Sequence, residues 1–261
     1  MKVYIFADME GISGISAYEF VDIQTARYAQ GCRYLTADVN ACVRGCFAGG
    51  AEQVLVRDGH WNGRNILWDE LDARVELIQG NGVQPRMPGL DECDALILLG
   101  YHAMIGTQQA LLHHTFTTEF QHIWLNGRPI GEFGLDAGVA ADRGIPTILV
   151  TGDDNACAEA LEWVPQVVTC QVKTGLATEA ARLLPMETAH RLIEEKAAEA
   201  VQKYREIPPL AIERPLTLRK EMSAWNALPT PISRPDLRFI DQRTCEVTTD
   251  TMEEAIYRLM T

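Results

Sequence analysis

No apolar run in the 261-residue sequence approaches the roughly 18 residues that a membrane-spanning helix needs, so no membrane span is expected. Positive charge is scarce: 23 Lys and Arg stand against 36 Asp and Glu, a net −13. That balance excludes a nucleic-acid-binding role and argues against an anionic membrane surface, because a phosphate-rich partner would be repelled. Cysteine is present but unpatterned. The seven residues, 32, 42, 46, 93, 157, 170 and 245, include no CxxC pair, so a thiolate zinc site is not expected. Their odd number and scatter suit buried thiols in a reducing cytoplasm. Internal repeats and low-complexity segments are absent, and MKVYIFADMEG runs into a strand with no signal-peptide pattern.

What is present begins with the first strand and its turn. Lys2 to Ala7 reads as a buried strand that ends abruptly in Asp8-Met9-Glu10-Gly11-Ile12-Ser13-Gly14. In extended geometry Asp8 and Glu10 lie on one side of the backbone. Two carboxylates this close repel unless something positive lies between them, and a divalent metal is the simplest candidate. Taken alone, the pair is equally a helix cap and a solvated turn.

Strands and helices then alternate. A helical pattern covers Ile23 to Phe47, with strands at Gln53 to Arg57, Val75 to Ile78 and Asp94 to Leu99. Gln121 to Leu125 and Pro129-Ile130 form a hairpin about Asn126-Gly127, a pair suited to a type I′ turn. A helix runs from Gly131 to about Asp142, a strand from Thr147 to Val150, a helix from Asn155 to Trp163 and a strand from Val167 to Val172. The alternation predicts an α/β fold: a mostly parallel sheet with helices on both faces. Composition changes near Pro185. A charged helix from Met186 to Arg205 leads into a proline-rich stretch up to Pro235, short strands and a closing helix from Met252. The expected organisation is an α/β metal-binding catalytic domain over residues 1–184 and a smaller C-terminal α+β unit over 185–261.

Comparing strand ends brings out a constellation. The first ends in Asp8-x-Glu10, the second in Asp58-Gly59-His60, the fourth in Gly100-Tyr101-His102, and Glu132 follows the hairpin. Open α/β sheets bind ligands at the carboxyl ends of their strands. Asp8, Glu10, His60, His102 and Glu132 form a mixed nitrogen and oxygen set suited to two divalent metal ions per chain, zinc first, with Asp8 as the bridge. Each residue also has a plain structural reading, as a turn histidine, a packed imidazole or an acid complementing a helix N-terminus.

These stretches resemble the zinc-dependent, binuclear D-aminopeptidase family. The resemblance is carried by DMEGISG (8–14), DGH (58–60), LGYHA (99–103), NGRPIGEFGL (126–135) and GDD (152–154). It implies the same five metal ligands and a catalytic histidine eleven residues beyond His102, which falls on His113. His114, beside it, is the rival for that role. The family also implies a ring-shaped homo-oligomer enclosing its active sites.

The expected function is therefore amide hydrolysis by metal-activated water, most simply as an aminopeptidase releasing an N-terminal residue, a D-residue included, from short peptides. A non-peptide amidase or lactam hydrolase on the same centre is the alternative, and a non-enzymatic metal- or peptide-binding protein a third class. Asp58 is a candidate partner of a ligand histidine, or else only a turn residue. Asn126 and Arg128 are weaker candidates for a substrate carboxylate, and Lys173 for an oxyanion, against a surface lysine. Trp61, Trp124 and Trp225 are read first as core or contact residues and second as a pocket lining.

Overall fold

The computed structural model describes residues 1–82, 84–225, 228–229 and 233–260. Residues 230–232, inside the expected proline-rich stretch, lie outside the described residues.

Among the described residues the main sheet has seven strands. In chain order they are β1 (Lys2–Ala7), β2 (Gln53–Asp58), β3 (Glu76–Ile78), β4 (Ala95–Tyr101), β7 (Thr147–Asp153), β8 (Val168–Ala177) and β9 (Ala180–Leu183). Their spatial order is β3-β2-β1-β4-β7-β8-β9, parallel except for β9, which pairs antiparallel with β8. β4 is buried along its whole length and β1 along all but its first residue, which accounts for their continuous apolar sequence.

The chain moves outward from β1 through β2 to β3 and then returns to β4 on the other side of β1. The direction of winding therefore reverses between β1 and β4, and a crevice opens beyond the carboxyl ends of those two strands. Parallel strands favour right-handed crossovers, and crossovers of one hand on either side of such a reversal put their helices on opposite faces. One layer is α1 (Tyr28–Ala48) packed on α4 (Met186–Gln202). The other holds α2 (Glu132–Ala141), which packs with α3 (Asp154–Trp163) and α5 (Met252–Met260).

A second sheet, five-stranded among the described residues, joins β5 (Phe120–Leu125) and β6 (Arg128–Pro129) to β10 (Leu216–Met222), β11 (Arg238–Phe239) and β12 (Thr244–Thr249). Its order is β11-β12-β10-β5-β6. The β5–β6 turn has Asn126 at φ 49° and Gly127 at φ 82°, the left-handed pair that a type I′ turn needs. Strands from beyond residue 185 thus complete a sheet begun at residue 120. β10 begins at Leu216, where buried and half-buried positions start to alternate. All seven cysteines are free and buried. Among the described residues, no helix is long and apolar enough to cross a membrane.

Candidate metal centre

The crevice between β1 and β4 is built by two close backbone approaches. Asp8 N–H donates to Leu99 O at 2.8 Å, so the β1–β4 pairing runs on into the turn. Gly11 N–H donates to Gly100 O at 2.7 Å, and a Cβ on Gly11 would lie 1.9 Å from Tyr101 O, so no side chain fits there. On the other side Gly59 N–H donates to Ala7 O at 2.8 Å, which holds the turn after β2 against β1 and delivers His60. His102 directly follows β4, and Glu132 is the first residue of α2.

Asp8, Glu10, His60, His102 and Glu132 are all buried and all meet in this crevice. Asp8 stands at the centre and uses one oxygen in each direction: Oδ1 is 3.1 Å from His60 Nδ1, and Oδ2 is 3.4 Å from His102 Nε2. Glu10 Oε2 lies 3.1 Å from His60 Nδ1, and Glu132 Oε1 lies 3.3 Å from His102 Nε2. Asp8, Glu10 and His60 form one compact triad. His102, His114 and Glu132 form a second, the ligand atoms of each lying within 4.8 Å of one another.

The histidines share a pattern. His60 Nε2 is 3.0 Å from Val21 O, His102 Nδ1 is 3.0 Å from Ala103 O, and His114 Nδ1 is 2.8 Å from Leu112 O. A backbone carbonyl can only accept, so in the neutral ring each of these nitrogens carries the proton. The other nitrogen of each ring then turns a lone pair toward carboxylate oxygens. Lone pair facing lone pair is repulsive unless a cation or a proton lies between. Glu10 Oε2 and His102 Nε2 are buried with no hydrogen-bond partner among the described residues despite these short approaches. A divalent cation fits this donor set: hard oxygens and imidazoles, no thiolate, and each imidazole oriented from behind by a carbonyl.

Electrostatics agree. Burial acts to lower the pKa of His60, yet the charge of Glu10 and the contact with Asp8 hold it well above 6.5. His102 is likewise raised well above 6.5 by Glu132 and Asp8 against the effect of burial. Burial opposes ionisation of Asp8, but the close approach of the His102 and His60 imidazoles holds its carboxyl well below 3.8. Without a metal, protons on the two imidazoles supply the missing positive charge.

The neighbouring histidines separate. His114 stacks on His102, and its Nε2 lies 3.8 Å from Glu132 Oε1 and 4.0 Å from Glu10 Oε1. The ring of His113 turns elsewhere: its Nδ1 accepts from Gly106 N–H at 3.1 Å, and burial with the nearby His102 and His114 lowers its pKa. The structure thus brings His114 into the cluster and leaves His113 at its edge. The chain is not extended here, since Leu112 and Phe116 take left-handed φ values of 47° and 60°. Counting from His102 therefore does not reveal which ring faces inward. The same segment is tied to the site by Phe116 N–H, which donates to Glu132 Oε1 at 2.7 Å.

Several weaker candidates lie elsewhere. Asp58 accepts from Asn65 and Ile66 N–H groups and from the Asn65 amide, so it forms the turn and does not touch the His60 ring. Asn126 pairs with Glu213 O and Thr217 N–H across the second sheet. Arg128 lies over the Trp163 ring and reaches Glu162. Trp61 and Trp225 are exposed, and Trp124 rests against His122 on β5. A groove of about 560 Å³ near the His114 segment is lined by Tyr18, Leu112, Ala177, Thr178, Glu179 and Ala180, with no tryptophan.

Lys173 corrects the expectation of a surface lysine: it is 1% exposed, and its three N–H groups meet three backbone carbonyls. Two further groups escaped the sequence reading. Glu159 is buried on α3; its Oε2 accepts from Met104 N–H at 2.8 Å, and burial pushes its carboxyl up to about 7. Its burial was signalled by Ala156 and Ala160, which flank it on one helical face. Asp136 is held by Arg86 and by Tyr101 Oη at 2.7 Å beneath the crevice. No spacing in the sequence announces that trio.

Comparison with known proteins adds the following. The model of the peptidase M55 family, described as D-aminopeptidase, matches residues 1–261. A D-aminopeptidase of Bacillus subtilis (strain 168) is 37% identical over 213 residues, 80% of this chain and 77% of the relative. A solved structure of DppA from Bacillus subtilis, described as a Zn-dependent D-aminopeptidase and a self-compartmentalizing protease, superposes with a TM-score of 0.95 at 32% identity. It covers 100% of this chain and 96% of that one.

Proposed function

This chain belongs to the peptidase M55 family of D-aminopeptidases, and on that footing we propose that it is a binuclear zinc aminopeptidase that releases an N-terminal D-residue from short peptides. The observation that carries the reading is the orientation of the imidazoles. His60 and His102 are each fixed by a backbone carbonyl and aim the free nitrogen at a different oxygen of Asp8.

In this reading Asp8, Glu10 and His60 would hold one ion, and Asp8, His102 and Glu132 the other. Zinc there would supply Lewis acidity and lower the pKa of a water toward neutrality. The remaining work falls to the chain. Carbonyls behind the His60 and His102 rings fix the tautomers, so in the neutral rings the nitrogens facing the crevice offer lone pairs. Glu132 keeps a second contact with Phe116 N–H, which holds the segment carrying His114 in place.

His114 takes the role expected of His113. Its Nε2 stands 3.8–4.0 Å from the carboxylates, farther than either other imidazole, and its side chain is 19% exposed against 10% for His60 and 2% for His102. It is the ring most open to an incoming substrate. A proton carried on Nε2 can be delivered to the departing amine, while Nδ1–H remains on Leu112 O.

The relative described as self-compartmentalizing supports a closed, ring-like homo-oligomer here as well. Exposed apolar side chains such as Trp68, Leu176 and Met186 offer surface for such an assembly to bury.

The test is a substrate panel on zinc-loaded protein: D-alanyl and L-alanyl amides, short peptides beginning with either isomer, their N-acetylated forms, and small lactams. Cleavage of D-first substrates with a free amine, abolished by acetylation, is the expected result. Turnover confined to lactams or to acetylated amides would establish the amidase alternative instead.

A further inference from the structure

The turn that carries Glu10 closes around a buried lysine amine, which burial pushes down to about 7 while the charges of Asp153, Asp38 and Glu10 favour its ammonium form. Lys173 reaches in from β8, 1% exposed, and its Nζ donates to Glu10 O at 2.6 Å, Ile12 O at 2.8 Å and Ile15 O at 2.9 Å. Three donors meet three carbonyls of one short segment, and no carboxylate is among the acceptors. Carbonyl oxygens converging in this way make a cation site, here filled by a side chain.

The opposite polarity of the same turn is met by Asp38 on α1, which is fully buried. It accepts from Ser13 N–H at 2.8 Å and from Ser13 Oγ at 2.5 Å, and His190 Nε2 lies 3.2 Å away. The turn has little regular secondary structure of its own, so its polar groups depend on these two side chains. Removing the ammonium would leave Glu10 O and Ile15 O without this donor and Ile12 O with only the longer bond from Ile15 N–H at 3.3 Å, beside a crevice that already concentrates carboxylates.

We infer that Lys173 is a positioning residue for the metal centre: a tethered cation that fixes the turn over residues 10–15 and thereby aims the Glu10 carboxylate at His60. Its consequence for zinc rests on the binuclear reading above, but its consequence for the turn does not.

The experiment removes the side chain and returns its charged end. Lys173→Ala deletes three methylenes and the amine, a volume that propylammonium can refill, with 1-propanol as the uncharged control. Hydrogen–deuterium exchange of residues 8–15 is followed on metal-free protein, and zinc affinity is measured by competition with a chromophoric chelator. Exchange of the turn should quicken at least tenfold in the variant, with the rest of the sheet unchanged. Zinc affinity should fall by roughly 10–100-fold, the usual loss when a group supporting a ligand is removed. Propylammonium should reverse both effects, and 1-propanol neither.

Unchanged exchange and affinity would overturn the inference. Equal rescue by 1-propanol would overturn it too, by reducing the lysine to a space filler. A variant unfolded with or without propylammonium would contradict a local role, whereas one refolded by propylammonium alone would support it. Wild-type protein that binds no zinc would refute the binuclear reading and leave the exchange measurements to decide the role of Lys173.

Discussion

His102 and His114 lie face to face, ring centroids 4.1 Å apart and planes within 9°, and both turn Nε2 toward Glu132 Oε1. Each ring gives its Nδ1 side to a backbone carbonyl. The pair differs in access: the His102 side chain is 2% exposed and that of His114 is 19%. In the proposed reading His102 holds a metal and its stacked neighbour His114 meets the substrate.

Substitution separates the two adjacent histidines. His114→Ala should retain both metals and lose about 10²–10⁴-fold in rate, the usual cost of removing a proton carrier. His113→Ala should change the rate by less than about tenfold, because that ring is engaged with Gly106 N–H. Metal analysis and steady-state kinetics on both variants check this. Loss of zinc from His114→Ala would make the ring a ligand.

Stability of the metal-free protein should depend on pH in a definite direction. His60 and His102 have folded values raised above 6.5, so their stabilisation is complete below 6.5 and lost as pH rises through the folded values. Asp8 and Glu132 are lowered from 3.8 and 4.5, so theirs is present above those values and lost as pH falls through the folded ones. The metal-free melting temperature should therefore peak between about 4.5 and 6.5. Zinc replaces the imidazole protons, so its stabilising increment should grow with pH, reaching about 4 kcal/mol at a thousandfold excess over Kd. Calorimetry with and without zinc across this range is the check.

Glu159 titrates in the opposite sense from an ordinary carboxylate. Burial raises it from 4.5 to about 7, so the folded state prefers the protonated acid and stability falls as pH rises between those values. Glu159→Gln keeps an acceptor for Met104 N–H and cannot ionise. It should flatten that slope and gain up to about 3 kcal/mol relative to wild type above pH 7. Denaturant unfolding of both proteins on either side of the transition measures the difference.

Gly11→Ala tests the close approach that forms the crevice. The added Cβ would lie 1.9 Å from Tyr101 O and 2.4 Å from Gly100 C, both backbone atoms that cannot swing aside. The turn or β4 must shift, at a cost of about 1–3 kcal/mol or more. Zinc affinity should fall together with thermal stability. Unchanged values of both would show that the approach is looser than described.

Much of this was legible from the chain. Continuous apolar runs at Val3–Phe6 and Ala95–Leu99 read as buried strands, their alternation with helices as a parallel sheet, and the polar residues that end them fell where such sheets bind ligands. The five-residue cluster followed from strand-end position and chemistry. Three features were hidden for physical reasons. Which of His113 and His114 faces inward depends on left-handed residues at 112 and 116, which local sequence does not announce. The antiparallel strand β9 lies in a stretch whose positions are half-buried or exposed, so burial imposes no apolar pattern on it. Lys173 has the sequence of a surface lysine, because its burial is compensated by carbonyls about 160 residues away along the chain.

The most direct test of the account is anomalous scattering at the zinc edge from crystals of the zinc-loaded protein. Two peaks are expected about 3.5–4 Å apart, one among Asp8, Glu10 and His60 and the other among Asp8, His102 and Glu132, with His114 beside the second and not bound to it. A single peak, or zinc held away from Asp8, would contradict the binuclear centre.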